Sequence, residues 1–122
     1  ATSASYAASL NGGIAKADTY QINSGIYIST SSGYTFTDVD NGKIITTTAS
    51  VASSFTIPIS LISGWNASIF QSGSGQLTFL TASTSVQLLN RQTHIRTAGQ
   101  YALVSLLQVS PNIYLLAGDT TS

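Results

Sequence analysis

The sequence predicts an all-β fold, and three observations carry the prediction. No stretch of a dozen residues keeps apolar side chains at the three- and four-residue spacing of an amphipathic helix. Apolar residues instead alternate with serine and threonine in short runs rich in isoleucine, valine, tyrosine and phenylalanine, the residues that suit a pleated surface. Glycine, asparagine and proline punctuate those runs. At 122 residues the chain suits one domain with its own core.

The elements follow in order. Residues 1–33 are small and polar, with Asn11-Gly12-Gly13 and Asn23-Ser24-Gly25 as turn signals around Tyr20-Gln21-Ile22 and Ile26-Tyr27-Ile28. This span reads as an extended N-terminal arm with room for short strands, its first sixteen residues laid on a neighbouring subunit. Residues 34–122 read as a single antiparallel β-sandwich or barrel. In it Tyr34 and Phe36 alternate with threonines, and Val39-Asp40-Asn41-Gly42-Lys43 makes a hairpin turn before Ile44-Ile45-Thr46-Thr47. Phe55-Thr56-Ile57-Pro58-Ile59 alternates, but Pro58 has no N–H and predicts an edge strand or a bulge.

Ala67 to Gln71 and Gln76 to Leu80 flank Ser72-Gly73-Ser74-Gly75. Two alternating segments joined by four small residues predict a hairpin, with the glycines supplying backbone freedom. A phosphate-binding glycine loop would have to open a helix, and a strand pattern follows instead. Val86 to Leu89 is a shorter strand. Tyr101 to Val109 places Tyr101, Leu103, Leu107 and Val109 on one face and Ala102, Val104 and Leu106 on the other, so both faces need cover. After the turn Ser110-Pro111-Asn112, Ile113 to Ala117 returns antiparallel.

Composition restricts the function. Only 7% of residues are charged, glutamate is absent, and Lys16, Lys43, Arg91 and Arg96 balance Asp18, Asp38, Asp40 and Asp119. Such a chain has no field to attract nucleic acid or an anionic membrane. No apolar stretch approaches the roughly 20 residues of a membrane helix, so membrane insertion by a helix is not expected. Serine and threonine make up about 30% of the chain and provide its polarity from turn and alternate strand positions. Little charge repulsion keeps copies apart, so the chain is expected to associate with itself. The absence of cysteine excludes disulfides, thiolate metal sites and cysteine nucleophiles.

No catalytic, cofactor or metal constellation is expected. Asp38-Val39-Asp40-Asn41-Gly42 begins like a calcium loop, but the closing carboxylate position twelve residues from Asp38 is Ala49. His94 is the only histidine, and no G-x-S-x-G elbow accompanies it. Arg91, His94 and Arg96 form the one cationic cluster, with His94 and Arg96 on one face if the segment is a strand. It suits a carboxylate on a neighbouring subunit or an acidic sugar, or it is a solvated loop. Trp65, Phe55, Phe70, Phe79, Tyr101 and Tyr114 are expected to pack, while Tyr6, Tyr20 and Tyr27 are candidates for subunit or glycan contacts.

The order of segments from Tyr34 to Asp119 resembles a β domain recurrent in bacteriophage virion proteins, at tail-fibre ends and in small head or tail decoration proteins. Carrying the resemblance are Asp40-Asn41-Gly42-Lys43-Ile44-Ile45, Phe55-Thr56-Ile57-Pro58, and Gly64-Trp65 leading into Ile69-Phe70-Gln71-Ser72-Gly73-Ser74-Gly75-Gln76-Leu77-Thr78-Phe79. Thr97-Ala98-Gly99-Gln100-Tyr101 and Tyr114-Leu115-Leu116-Ala117-Gly118-Asp119 complete it. The pattern departs at Asn90 to Ile95, where a turn with glycine and proline is usual. The resemblance implies a trimer-prone, non-enzymatic structural protein at the virion surface, its partners being further copies (a homotrimer) and the major capsid or other virion proteins. The short chain, with Ala1 where an initiator methionine would have been removed, suits a capsid decoration or cement protein or a head fibre. The alternative is a receptor-binding tip that recognises a host glycan in host attachment.

Overall fold

A computed structural model describes residues 27–122, with side chains from Ser29 onward. In chain order the strands are β1 (Tyr27–Thr30), β2 (Tyr34–Thr35), β3 (Lys43–Thr47), β4 (Ser53–Ile57), β5 (Asn66–Gln71), β6 (Leu77–Thr81), β7 (Gln87–Leu89), β8 (Arg96–Thr97), β9 (Leu103–Ser110), β10 (Ile113–Gly118) and β11 (Thr120–Thr121). A 3₁₀ turn at Asp38–Asp40 is the only helical element among the described residues. The all-β expectation holds. The predicted spans 1–16 and Tyr20-Gln21-Ile22, and with them Tyr6 and Tyr20, lie outside the described residues.

The chain builds two sheets, one of six strands in the order β1-β3-β5-β9-β10-β7 and one of five in the order β11-β8-β6-β4-β2. Up to β6 successive strands alternate between them. β1, β3 and β5 therefore run parallel in one sheet, and β2, β4 and β6 run parallel in the other. This is a solenoid-like winding, and it corrects the antiparallel expectation for that half of the fold. The physical reason is connection length. The links Ser31–Gly33, Thr48–Ala52 and Ser72–Gln76 are too short for a parallel crossover within one sheet, which takes a dozen residues or more. Each link bends the chain across the core into the opposite sheet instead.

The last two of these coils are in register 24 residues apart, so that Ile45 lies beside Ile69, Phe55 beside Phe79 and Ser50 beside Ser74. From β7 onward the geometry changes. β9 pairs antiparallel with β5 and with β10, and β8 pairs antiparallel with β6 and β11, which ends the parallel stack on that side. The predicted β9–β10 hairpin is present, turning at Pro111-Asn112 with Asn112 at φ 61.

Two further turn predictions are corrected. Ser72–Gly75 is not a hairpin, because β5 and β6 belong to different sheets. Asp38–Gly42 likewise carries the chain from β2 across to β3, with Gly42 at φ 78 where a Cβ would be strained. Pro58 marks neither an edge strand nor a bulge: β4 lies inside its sheet between β6 and β2, and Pro58 follows its last residue.

The glycines of the Ser72–Gln76 arc have a purpose other than the expected backbone freedom. A Cβ on Gly73 would lie 2.2 Å from the Ala49 carbonyl oxygen, and one on Gly75 would lie 2.1 Å from that of Val51. The arc sits directly on the preceding one: Gly73 N–H donates to Thr47 O at 3.1 Å, Gly75 N–H to Ala49 O at 2.9 Å, and Ser53 N–H to Gln76 O at 3.1 Å. Its other side meets the segment before β9, where Gln71 N–H donates to Ala102 O at 2.9 Å and Gln100 Nε2 to Ser72 O at 3.1 Å. Against the preceding arc backbone approaches backbone, and only a missing side chain leaves room.

Between the sheets lies one apolar core, with Ile45, Ile69, Val104, Leu106 and Leu116 from one and Phe55, Ile57, Leu77 and Phe79 from the other. An aromatic chain closes the end near the 3₁₀ turn. Phe36 contacts Phe55 at 5.5 Å and Trp65 at 5.1 Å between ring centres, and Trp65 contacts Tyr114 at 6.2 Å. The Trp65 indole donates to Thr37 O at 2.9 Å, so its buried N–H is satisfied. The core also holds polar groups. Thr97 Oγ1 donates to Gln71 Oε1 while accepting the Leu77 N–H at 3.0 Å, and Gln71 Nε2 donates to Gly73 O at 3.1 Å. Asp40 is fully buried, its carboxylate accepting Thr37 N–H at 2.8 Å and the Tyr34 hydroxyl at 2.8 and 2.9 Å.

Candidate functional site

Two surfaces stand out. The first is the Asn90–Ile95 loop between β7 and β8, which is organised by an asparagine. Asn90 Oδ1 accepts the N–H groups of Gln92 at 2.8 Å and His94 at 3.0 Å, and Asn90 Nδ2 donates to Leu116 O at 2.9 Å. The loop thereby holds Thr93 at φ 61, a left-handed conformation that a β-branched residue rarely adopts. Asn90 is shared by two shallow clefts. One, of about 350 Å³, is lined by Arg91, Gln92, Thr120 and the β10 segment Leu115 to Gly118. The other, of about 310 Å³, is lined by Leu88, Leu89, Thr93, His94 and Ile95.

The predicted cationic cluster is thus divided. Arg91 faces the first cleft and His94 the second, while Arg96 is exposed on β8 and lines neither. His94 is half-buried, and its Nδ1 lies 3.1 Å from Thr120 Oγ1. A hydroxyl, not a carboxylate, is the imidazole's recorded partner. The aspartates beside the 3₁₀ turn are occupied by local structure, since Asp38 Oδ1 accepts the Ile62 N–H at 2.7 Å and Asp40 holds the Tyr34 hydroxyl. Burial first, and the Asp40 carboxylate second, push the Tyr34 phenol up to about 12. Among the described residues no three His, Asp or Glu side chains gather as metal ligands would. Around Asn90 a guanidinium, side-chain amides and the Thr120 hydroxyl line the first cleft, a mixture of donors suited to an anion or a polar ligand.

The second surface is the outer face of the six-stranded sheet. Along β9, Val104 and Leu106 point into the core while Leu103 and Leu107 are exposed, as the alternation predicts, and Val109 is exposed beyond them. Strand register puts Leu103 beside Phe70, Leu107 beside Leu115, and Leu115 beside Leu89. Ile44 adds to the face on β3, next to Ser68. Lys43 is the only charged residue in the six strands; it shares the inward parity of Ile45, and its Nζ donates to Val39 O at 2.6 Å at the strand's end. Within its strands the face therefore mixes apolar and hydroxyl side chains without outward charge, and Arg91 stands at its β7–β10 edge.

Tyr101 forms the rim of this face. It was expected to pack in a core or interface, yet it is 68% exposed, and its ring stacks on Phe70 at 6.3 Å with the planes 23° apart. Its backbone is left-handed at φ 71, fixed by an N–H donated to Gln71 O at 2.6 Å. Trp65, Phe55, Phe79 and Tyr114 are buried as expected. Tyr27 belongs to β1, where it pairs with Ile44. Sequence reasoning separated the two faces of β9 but missed Asn90, whose signal is its position at a strand end followed by polar residues, the setting of an Asx turn.

No protein-family model, curated protein or solved structure matches this chain.

Proposed function

We propose that this chain is a non-enzymatic structural protein of a bacteriophage virion, of the capsid decoration, cement or head-fibre type, acting at the particle surface by oligomeric assembly. The observation that carries the assembly is the charge-free apolar face of the six-stranded sheet. Contiguous apolar patches of this kind mark contacts with other macromolecules. The virion setting rests on the resemblance of the Tyr34 to Asp119 segments to phage β domains. In this reading the two sheets serve as a compact sandwich-like unit that trimerises and contacts the major capsid or another virion protein. The test is the mass of the isolated protein together with its co-sedimentation with particles. A stable monomer that binds no particle refutes the proposal.

A second reading, a receptor-binding tip for a host glycan, is favoured by the cleft beside Arg91. There a guanidinium stands next to Gln92, Thr120 and an apolar strand, the mixture that binds an acidic sugar. Glycan-array screening of the assembled protein, with Arg91→Ala as control, separates the two. Binding that disappears in the variant supports the tip, and an array without signal removes it.

A further inference from the structure

We propose that the outer face of the six-stranded sheet is the surface through which one copy of this chain joins another, β9 lying at the centre of the contact. This inference rests on the assembly reading above and names its surface and partner.

Size is the first argument. Ile44, Leu89, Tyr101, Leu103, Leu107 and Val109 are each between 41% and 68% exposed. Together they leave open the equivalent of about three large side chains, roughly 600 Å² at ~200 Å² apiece. That equals the largest apolar patch of an ordinary monomer before any polar area is counted. With the interspersed Thr46, Ser68 and Ser105 the face approaches the ~800 Å² per partner of a stable interface.

Charge is the second. The strands of the face carry no outward charged side chain and Arg91 stands only at the β7–β10 edge, so burying a partner's unpaired charge against the centre on β9 is costly. The matching surface must itself be neutral and mix aliphatic with hydroxyl groups. This chain, with 7% charged residues, provides one in its own copy. A second copy presents the same neutral sheet, and copies of it can meet around a shared symmetry axis.

The third argument is Tyr101. Tyr101 is held at φ 71, a left-handed backbone that residues other than glycine seldom adopt. Among the described residues the ring stacks on Phe70, and 68% of Tyr101 stays exposed. A tyrosine preset in this way gains burial for its exposed ring when a partner covers the face.

The experiment uses the full chain. Sedimentation equilibrium at micromolar concentration is expected to show an oligomer, and Leu107→Glu, which places a carboxylate in the centre of the face, is expected to weaken self-association by about 100-fold or more. Val51→Glu, at an exposed apolar position in the Thr48–Ala52 arc, is expected to leave the oligomer unchanged, and far-UV circular dichroism checks that both variants fold. Because the chain has no cysteine, Ser105→Cys reports on the face directly, and its thiol is expected to resist maleimide in the oligomer and react in the Leu107→Glu background. A monomeric parent chain with a protected thiol means that residues 1–26 cover the face. A monomer with a reactive thiol means that the face is bare or belongs to another protein. Either result overturns the inference, as does an oligomer that survives Leu107→Glu. Particle binding is read separately. An oligomer through this face that ignores particles preserves the inference and removes the virion proposal, whereas a face-independent oligomer on particles does the reverse.

Discussion

Substituting alanine for Gly75 tests the stacking of the arcs directly. The new Cβ would meet the Val51 carbonyl oxygen at 2.1 Å and its carbon at 2.5 Å, and both are backbone atoms that no rotamer change can move. Ordinary contact requires the arcs to part by more than 1 Å. That motion stretches the Gly75–Ala49, Gly73–Thr47 and Ser53–Gln76 hydrogen bonds, now 2.9 to 3.1 Å, beyond useful length. Three bonds at about 1 kcal/mol each and overpacking strain of about 1 kcal/mol give a loss of roughly 4 kcal/mol. That is a quarter or more of the ~5–15 kcal/mol available to a domain, and it lowers Tm by about 20 °C. The measurement is equilibrium urea unfolding of a glycine series. Gly99→Ala, which meets nothing within 4 Å and needs no positive φ, is expected to be neutral or to gain about 0.5 kcal/mol. Gly42→Ala, unobstructed but at φ 78, is expected to lose about 1 kcal/mol. If Gly75→Ala loses no more than Gly42→Ala, the arcs do not stack as described and the reasoning fails.

Other consequences are open to measurement. Ultraviolet titration is expected to find one tyrosine ionising near pH 12, and Asp40→Asn should bring it back toward 10. Because the folded value lies above the unfolded one, Tyr34 contributes stability that is complete below about pH 10 and lost as the pH rises through 12; unfolding followed across that window should show the loss. Gln71→Leu removes the acceptor of the buried Thr97 hydroxyl and the donor to Gly73 O, and chemical denaturation is expected to show a loss of about 2–3 kcal/mol. Ser53 Oγ is buried with no hydrogen-bond partner among the described residues, so Ser53→Ala is expected to leave thermal stability unchanged or raise it by up to about 1 kcal/mol.

Much of the strand content was legible because alternation survives in almost every element. What misled was the meaning of the small-residue links. A tight hairpin and an arc between sheets use the same residues, glycine and serine, so Ser72-Gly73-Ser74-Gly75 is compatible with both. The sequence does contain a discriminating signal. Trp65, Ala67, Ile69, Gln71, Gly75, Leu77 and Phe79 are all buried, so the odd-numbered parity is the same before and after the bend, with Gly73 half-buried between. In a hairpin pairing Gln71 with Gln76, Ile69 and Thr78 would share a face, and the parity would reverse. An arc keeps the inner side of the chain facing the core while its direction turns.

The functional surfaces divide in the same way. Scarcity of charge was visible from composition, and so was the two-faced alternation of β9, from which a second apolar face follows. The separation of Arg91 from His94 was not, because it depends on the side chain of Asn90 reaching Leu116, a neighbour 26 residues away.

By itself the sequence determined the strand segments, the neutrality of the chain and the side of each strand that avoids water, because these follow from local stereochemistry and side-chain polarity. Only the tertiary structure decided that successive strands enter opposite sheets and run parallel, and that Gly73 and Gly75 lie against another stretch of backbone. Those outcomes depend on which distant segments come into register, and short links of glycine and serine leave that choice to the packing of the core.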